Sequence, residues 1–102
     1  MAVEPWEGSH DTIGDGRKVV AAAATAEVLA ASTAVRQVVI TAETDNTGYV
    51  VVGASTVVAS LATRRGTPLA AGDTIVLNVT NLALVYLDVT VSGDGVTYSW
   101  VR

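Results

Sequence analysis

The chain has 102 residues, 50% of them hydrophobic, a formal net charge of −4 and no cysteine. This length suits one domain and is too short for two, and the lack of cysteine excludes disulfides, thiolate chemistry and cysteine-based metal sites. No segment has more than two adjacent cations, which argues against nucleic-acid binding, and no apolar run reaches the roughly 18–20 residues of a membrane span.

Residues 1–16 differ in composition from the rest of the chain. They contain three Gly, one of the two Pro and one of the two Trp, and they show neither helical nor strand periodicity. Such a composition is typical of an extended, mobile arm, so we predict an N-terminal arm at 1–16 and a domain at 17–102. Trp6, beside Pro5, either folds back on its own domain or anchors a partner, because Trp is common at interface hot spots.

The alanine-rich segment 17–34 is ambiguous. Alanine favours a helix by propensity, but many β-branched or helix-competing side chains interrupt the segment, and neither a cap nor an apolar stripe is evident. We predict two short strands here, at about 17–23 and 26–30, with a helix as the alternative.

Alternation of apolar and polar residues indicates strands from residue 35 onwards. The turn residues Asp45-Asn46-Thr47-Gly48 separate a strand around 37–42 from one at 49–53, which predicts a hairpin. A short strand at 57–61 and an exposed loop at 64–68 are expected to follow.

The last third of the chain alternates most regularly. Strands are predicted at 74–80, 84–92 and 96–101, and the last two are expected to form a closing hairpin around Gly93-Asp94-Gly95. Tyr98 and Trp100 share a face with Val96, which predicts a place in the core or in a subunit interface. Because the last strand reaches the end of the sequence, we expect any free arm to be N-terminal.

Seven or eight short strands at spacings near ten residues predict an all-β fold. We expect a small antiparallel β-sandwich or a jelly-roll-like barrel, preceded by the extended arm. With two Trp, three Tyr and no Phe in the chain, its core must be built from Val, Ala, Leu and Ile. A core of this kind is thin, and oligomerisation commonly supplies the missing burial.

No group of residues indicates catalysis or metal binding. The only histidine, His10, lies in the arm, and most acids lie in turns, where carboxylates bind local backbone. Asp88 is the exception: it lies within a strand, on a mostly polar face, and is predicted to be solvated. Segment 43–48 lacks the spacing and the closing acid of an EF-hand. We therefore expect no enzymatic activity, no metal and no cofactor.

Five segments together resemble small structural proteins of tailed bacteriophages. They are RQVVITA at 36–42, DNTGYVVVG at 45–53, TPLAAGDTI at 67–75, the stretch 81–88 and SGDGVTY at 92–98. The resemblance covers about residues 17–102 and includes head decoration proteins, head fibres and tail-fibre modules. Val51 departs from the pattern, which prefers Tyr at that position, and the alanine-rich stretch at 20–31 is unusual.

This resemblance implies a non-enzymatic virion protein. We expect a capsid decoration protein, made in the host cytoplasm, that binds the major capsid protein on the outer capsid surface, stabilises the shell and forms a homotrimer. No nucleic acid or membrane partner is expected. The partner-binding residues predicted from the arm and from the exposed loop are Val3, Pro5, Trp6, Ile13, Arg64 and Arg65. The alternative is a head-fibre or tail-fibre module that binds a host glycan through Tyr49, Tyr86 and the loops.

Overall fold

The computed structural model describes residues 12–102 and confirms the predicted all-β class. Its strands are β1 (Ile13–Val19), β2 (Glu27–Val28), β3 (Gln37–Ala42), β4 (Val50–Gly53), β5 (Thr67–Leu69), β6 (Thr74–Leu77), β7 (Tyr86–Val89) and β8 (Gly95–Val101). Within this part of the chain the helical segments are two short 3-10 turns, Leu61–Thr63 and Leu82–Leu84.

The strands form two four-stranded antiparallel sheets that pack face to face. Sheet A has the order β1-β8-β3-β6 and sheet B the order β2-β7-β4-β5. The pairs β1·β8, β2·β7, β3·β6 and β4·β5 are nested, so that a long two-stranded ribbon is rolled into a sandwich. Eight strands connected in this way constitute a jelly roll, one of the two architectures that the strand spacing predicts.

Both predicted hairpins are wrong. β3 and β4 belong to different sheets, as do β7 and β8, so the segments between them cross from one sheet to the other. The turn residues of these crossings bond to each other: the Asp94 carboxylate accepts hydrogen bonds from the amides of Thr47 and Gly48 at 3.1 and 2.8 Å, and the Asn46 side chain bonds both the N–H and the C=O of Gly95. Local alternation identifies a strand but does not specify its partner.

The predicted arm boundary also needs correction. β1 begins at Ile13, and residues 13–16 pair with residues 98–101 of β8; residues 1–11 lie outside the described part of the chain. Gly14 and Gly16 fall in the segment whose composition and lack of periodicity predict an arm. In the sheet they leave space for the rings of Trp100 and Tyr98, which a Cβ atom at either position would overlap.

The remaining strand boundaries differ in smaller ways. Segment 17–34 contains the end of β1 and the two-residue β2, which confirms strands over a helix there. The strand predicted at 57–61 is replaced by an isolated bridge between Val58 and Arg65 and by a 3-10 turn. Conversely, the loop predicted at 64–68 ends in β5.

The core between the sheets is aliphatic, as composition predicts. All buried hydrophobic side chains of the described residues are Val, Leu, Ile or Ala, with Ile40, Leu82 and Leu87 among the largest that are fully buried. Tyr98 and Trp100 are partly buried and pack against this core at the β1 edge of sheet A. Of the two places predicted for these aromatic residues, the core or a subunit interface, the contact with the core is confirmed.

Two ion pairs connect neighbouring elements around β1. Lys18 of β1 binds Glu27 of β2 at 3.0 Å and so links the edge of sheet A to the edge of sheet B. Arg17 binds Glu43 with two hydrogen bonds on the opposite face of the same strand. The hydrogen bond from Lys18 lowers the pKa of Glu27, and the one from Arg17 lowers the pKa of Glu43.

These lowered pKa values predict a loss of stability in acid. A carboxylate whose pKa is lower in the folded chain stabilises the fold above its unfolded pKa of about 4.3 and loses that contribution as the pH falls through its folded pKa. We expect the free energy of unfolding, measured by urea titration, to be steady down to about pH 5 and to fall below it. Glu27→Gln should reduce that acid-side slope, because the variant has no carboxyl to protonate at this position. An unaltered slope in Glu27→Gln would contradict the assignment.

Candidate interaction surface

The structure places the predicted partner-binding residues at separate locations. Val3, Pro5 and Trp6 lie outside the described residues. Ile13 begins β1 and is 76% exposed. Arg64 and Arg65 precede β5.

Ile13 and the two arginines do not form one surface. β1 is an edge strand of sheet A and faces β2 of sheet B, as the Lys18–Glu27 ion pair shows. β5 is the opposite edge strand of sheet B. The arginines therefore lie on the other sheet and at the other edge of the sandwich from Ile13.

The two arginines have different environments. Arg64 is partly buried, donates from Nε to the carbonyl of Ala59 at 3.0 Å and holds its guanidinium 5.3 Å from the ring centroid of Tyr49. Arg65 is exposed, and its backbone N–H and C=O bond to Val58. Of the pair, Arg65 is therefore the cation more accessible to an acidic partner.

The face of sheet A that points away from the core is the largest regular surface next to Ile13. We call it the outer A face. Val39 lies at its centre and pairs with Val76 on one side and with Ser99 on the other. Val76 is 52% exposed, and Val101 lies directly opposite Ile13. The outer A face thus presents aliphatic side chains at both of its edges.

One end of the outer A face is polar. Thr97 lies between Arg17 and Thr41 in the sheet register, and the hydroxyls of Thr41 and Thr74 are 2.9 Å apart. Beside them is an open groove of about 420 Å³, lined by Thr41, Ala42, Glu43, Thr44, Asp45 and Thr97. Because Arg17 already binds the Glu43 carboxylate, this groove provides no uncompensated pair of acids.

Asp88 is buried, and the prediction that it would be solvated is wrong. It is 1% exposed and lies on the side of sheet B that faces away from the main core. A second apolar cluster covers that side of the sheet; its members are Ala26, Val51, Val57, Ala59 and Tyr86. Sequence alternation could not reveal this cover, because three of its members, Ala26, Val57 and Ala59, come from segments between strands.

The Asp88 carboxylate is fully engaged with backbone amides. Oδ1 accepts hydrogen bonds from Ala24 and Val89 at 3.0 and 2.9 Å, and Oδ2 accepts one from Ala59 at 2.8 Å. Ala24 is the only non-glycine residue with positive φ among residues 12–102, at 72°. Asp88 therefore ties two loops to β7, which is a structural role.

Three further features of residues 12–102 bear on other kinds of site. No three His, Asp or Glu side chains come close enough together to bind a metal ion. No helix has both the length and the apolar character required to cross a bilayer. Every buried side-chain nitrogen or oxygen in this range has a hydrogen-bond partner.

Comparisons with protein-family models, with curated proteins and with solved structures gave no match. The topology and the exposed surfaces of the molecule are therefore the basis for its function.

Proposed function

We propose that this protein is a non-enzymatic capsid decoration protein of a tailed bacteriophage. The observation that supports this proposal most is the jelly-roll connectivity, in which the four strand pairs β1·β8, β2·β7, β3·β6 and β4·β5 are nested in sequence. Jelly rolls recur in viral capsid domains and also in lectins, and a fold alone does not determine a function. The resemblance of five sequence segments to phage structural proteins points the same way.

The outer A face and residues 1–11 are the proposed contacts with the major capsid protein. Residues 1–11 connect directly to the edge of sheet A, where Ile13 and Val101 are opposite each other. In this proposal Val3, Pro5 and Trp6 supply apolar anchors, and the outer A face supplies a rigid surface on the outside of the shell.

The buried acids support a structural role over a catalytic one. Asp88 and Asp94 are the two buried charged residues of the described chain, and both carboxylates accept hydrogen bonds from backbone amides. A general acid or base must be able to reach a substrate proton. These two carboxylates instead stabilise loops.

The glycan-binding alternative has less support. Tyr86 packs against the apolar cluster on sheet B, and Arg64 lies over the ring of Tyr49. A sugar-binding site built on these residues would need accessible ring faces. Tyr86 is partly buried in that cluster, and Tyr49, although 47% exposed, shares its ring with Arg64.

Removal of residues 2–11 tests the proposal. Because β1 begins at Ile13, the truncated protein should keep its thermal unfolding midpoint but lose co-sedimentation with empty shells of the parent phage. Trp6→Ala should weaken co-sedimentation, whereas Arg65→Ala, on the other sheet, should weaken it less. Undiminished binding by the truncated protein would refute the role of the arm, and a full-length protein that does not bind shells would refute the function.

A further inference from the structure

β1 is the longest edge strand of the sandwich. It has seven residues, whereas the other edge strands are β2 with two, β5 with three and β6 with four. β5 also contains Pro68, a residue that discourages further pairing. β1 pairs only with β8, and among residues 12–102 no strand covers its other side.

The hydrogen bonds of β1 show which residues face that open side. Thr12 exchanges backbone hydrogen bonds with Arg102 at 3.2 and 2.8 Å, and Val20 donates to Asp94. Because hydrogen-bonded and non-hydrogen-bonded pairs alternate along an antiparallel pair, the backbone N–H and C=O groups of the even-numbered residues of β1 point towards β8. The N–H and C=O groups of the odd-numbered residues point away from β8; these residues are Ile13, Asp15, Arg17 and Val19.

We propose that β1 pairs with β1 of a second copy of this chain, antiparallel and across a two-fold axis at Gly16. In this register Asp15 lies opposite Arg17 of the second copy, and Ile13 lies opposite its Val19. Each such pair can exchange two backbone hydrogen bonds. The pairing also covers Ile13 and Val19, which are 76% and 37% exposed in the single chain.

The charges of Asp15 and Arg17 favour a two-fold axis at Gly16 over an axis one residue to either side. A shift of the two-fold axis to Asp15 would place two aspartates opposite each other, and a shift to Arg17 would place two arginines opposite each other. Like charges directly opposite in a sheet are destabilising, whereas unlike charges are favourable. Centring on Gly16 is therefore the register in which the open side of β1 complements itself.

Other features of β1 are compatible with this pairing. Lys18, the one charged residue on the inner side of the strand, already binds Glu27 of its own chain. In the proposed register Lys18 lies opposite Gly14 of the second copy, which has no side chain to obstruct it. The outer A faces of the two copies become one continuous sheet.

The resulting assembly is a closed dimer. A two-fold contact uses the same surface on both copies and does not propagate. The sequence resemblance implies a trimer, whereas the open edge of β1 favours a pair. This inference stands independently of the proposed function.

Sedimentation equilibrium of the full-length protein tests the inference first. An edge pairing of this size is at the small end of specific interfaces, so we expect concentration-dependent association to twice the 10.4 kDa of one chain. A protein that stays monomeric at every concentration, or that forms a trimer, would overturn the inference.

Charge variants test the register. Asp15→Arg and Arg17→Asp each place like charges opposite each other twice per dimer, so each should weaken self-association by about tenfold. An equimolar mixture of the two variants restores unlike pairs on both sides of the axis and should associate as the unchanged protein does. Circular dichroism verifies that both variants are folded, because Arg17→Asp also removes the contact with Glu43. Folded variants that fail to associate when mixed would contradict the register.

Proline variants test the edge itself. Asp15→Pro removes an N–H that points away from β8, so the domain should fold while dimerisation is lost. Val76→Pro is the matched control, because Val76 lies in β6, the other edge strand of sheet A. Loss of dimerisation in Val76→Pro but not in Asp15→Pro would assign the contact to β6 and overturn the inference.

Discussion

Replacement of Asp88 by alanine should lower the free energy of unfolding by about 3–5 kcal/mol, because two loop amides lose a charged acceptor in a buried site. The loops are those of Ala24 and Ala59, whose N–H groups donate to the carboxylate at 3.0 and 2.8 Å. Water cannot readily replace it, since Asp88 is 1% exposed beneath an apolar cluster. Urea denaturation followed by circular dichroism measures the difference.

Asp88→Asn separates charge and acceptor capacity from size. The asparagine amide nitrogen cannot accept a hydrogen bond, so one backbone donor stays unpaired and we expect about half of the alanine effect. Asp45→Ala is the control at an exposed acid and should change the free energy of unfolding by less than about 0.5 kcal/mol. If Asp88→Ala matched Asp45→Ala, the carboxylate would have no structural importance.

The second large effect is expected at Gly66, just before β5. Its φ is 115°, a conformation that side chains disfavour, and a Cβ atom here would lie 2.7 Å from the carbonyl oxygen of Val52. The same atom would be 2.8 Å from Val57 and 2.9 Å from Val51. Backbone strain and overpacking together predict a loss of about 3 kcal/mol for Gly66→Ala.

Gly93 provides a matched control for that substitution. Its φ of 95° is similarly unfavourable for a side chain, but no atom lies within 4 Å of the position that a Cβ would occupy. Gly93→Ala should therefore cost only the backbone term, about 1 kcal/mol. The difference between the two variants in thermal or urea denaturation isolates the packing against β4. Equal losses would mean that Gly66 is required for its backbone alone.

Strand identity was predictable from sequence where one side of the strand faces the core. In β3, Val38, Ile40 and Ala42 are buried and alternate with partly exposed residues, as the period of two predicts. The aliphatic composition of the core also followed from the near absence of aromatic residues.

Strand partners were not predictable in the same way. Turn chemistry at Asn46 and Gly48 is real, but it serves contacts with Asp94 and Gly95 in the other crossing segment. In a jelly roll most connections cross between sheets, so a short polar segment between two strands does not imply that they pair. Sequence spacing alone contains no information that distinguishes these cases.

The residues that sequence patterns place least well, Asp88, Gly14 and Gly16, share a cause. The mostly polar strand face of Asp88 predicts a solvated carboxylate, and the composition and lack of periodicity of residues 1–16 predict an arm that includes Gly14 and Gly16. In both cases the determining contact comes from distant residues: Ala59 for Asp88 and the aromatic residues of β8 for the glycines. The open side of β1 was missed for the same reason.

The position of β8 determines when the domain can be completed during synthesis. β1 and β3 leave the ribosome early, yet they contact each other only through β8, which lies between them in sheet A. A nascent chain that has not reached residue 95 therefore lacks the β3·β8 pairs, which place Trp100 beside Val38 and Tyr98 beside Ile40. Contacts between segments so distant in sequence form slowly. Until β8 is made, sheet A stays incomplete, and chaperones and proteases have access to the facing edges of β1 and β3.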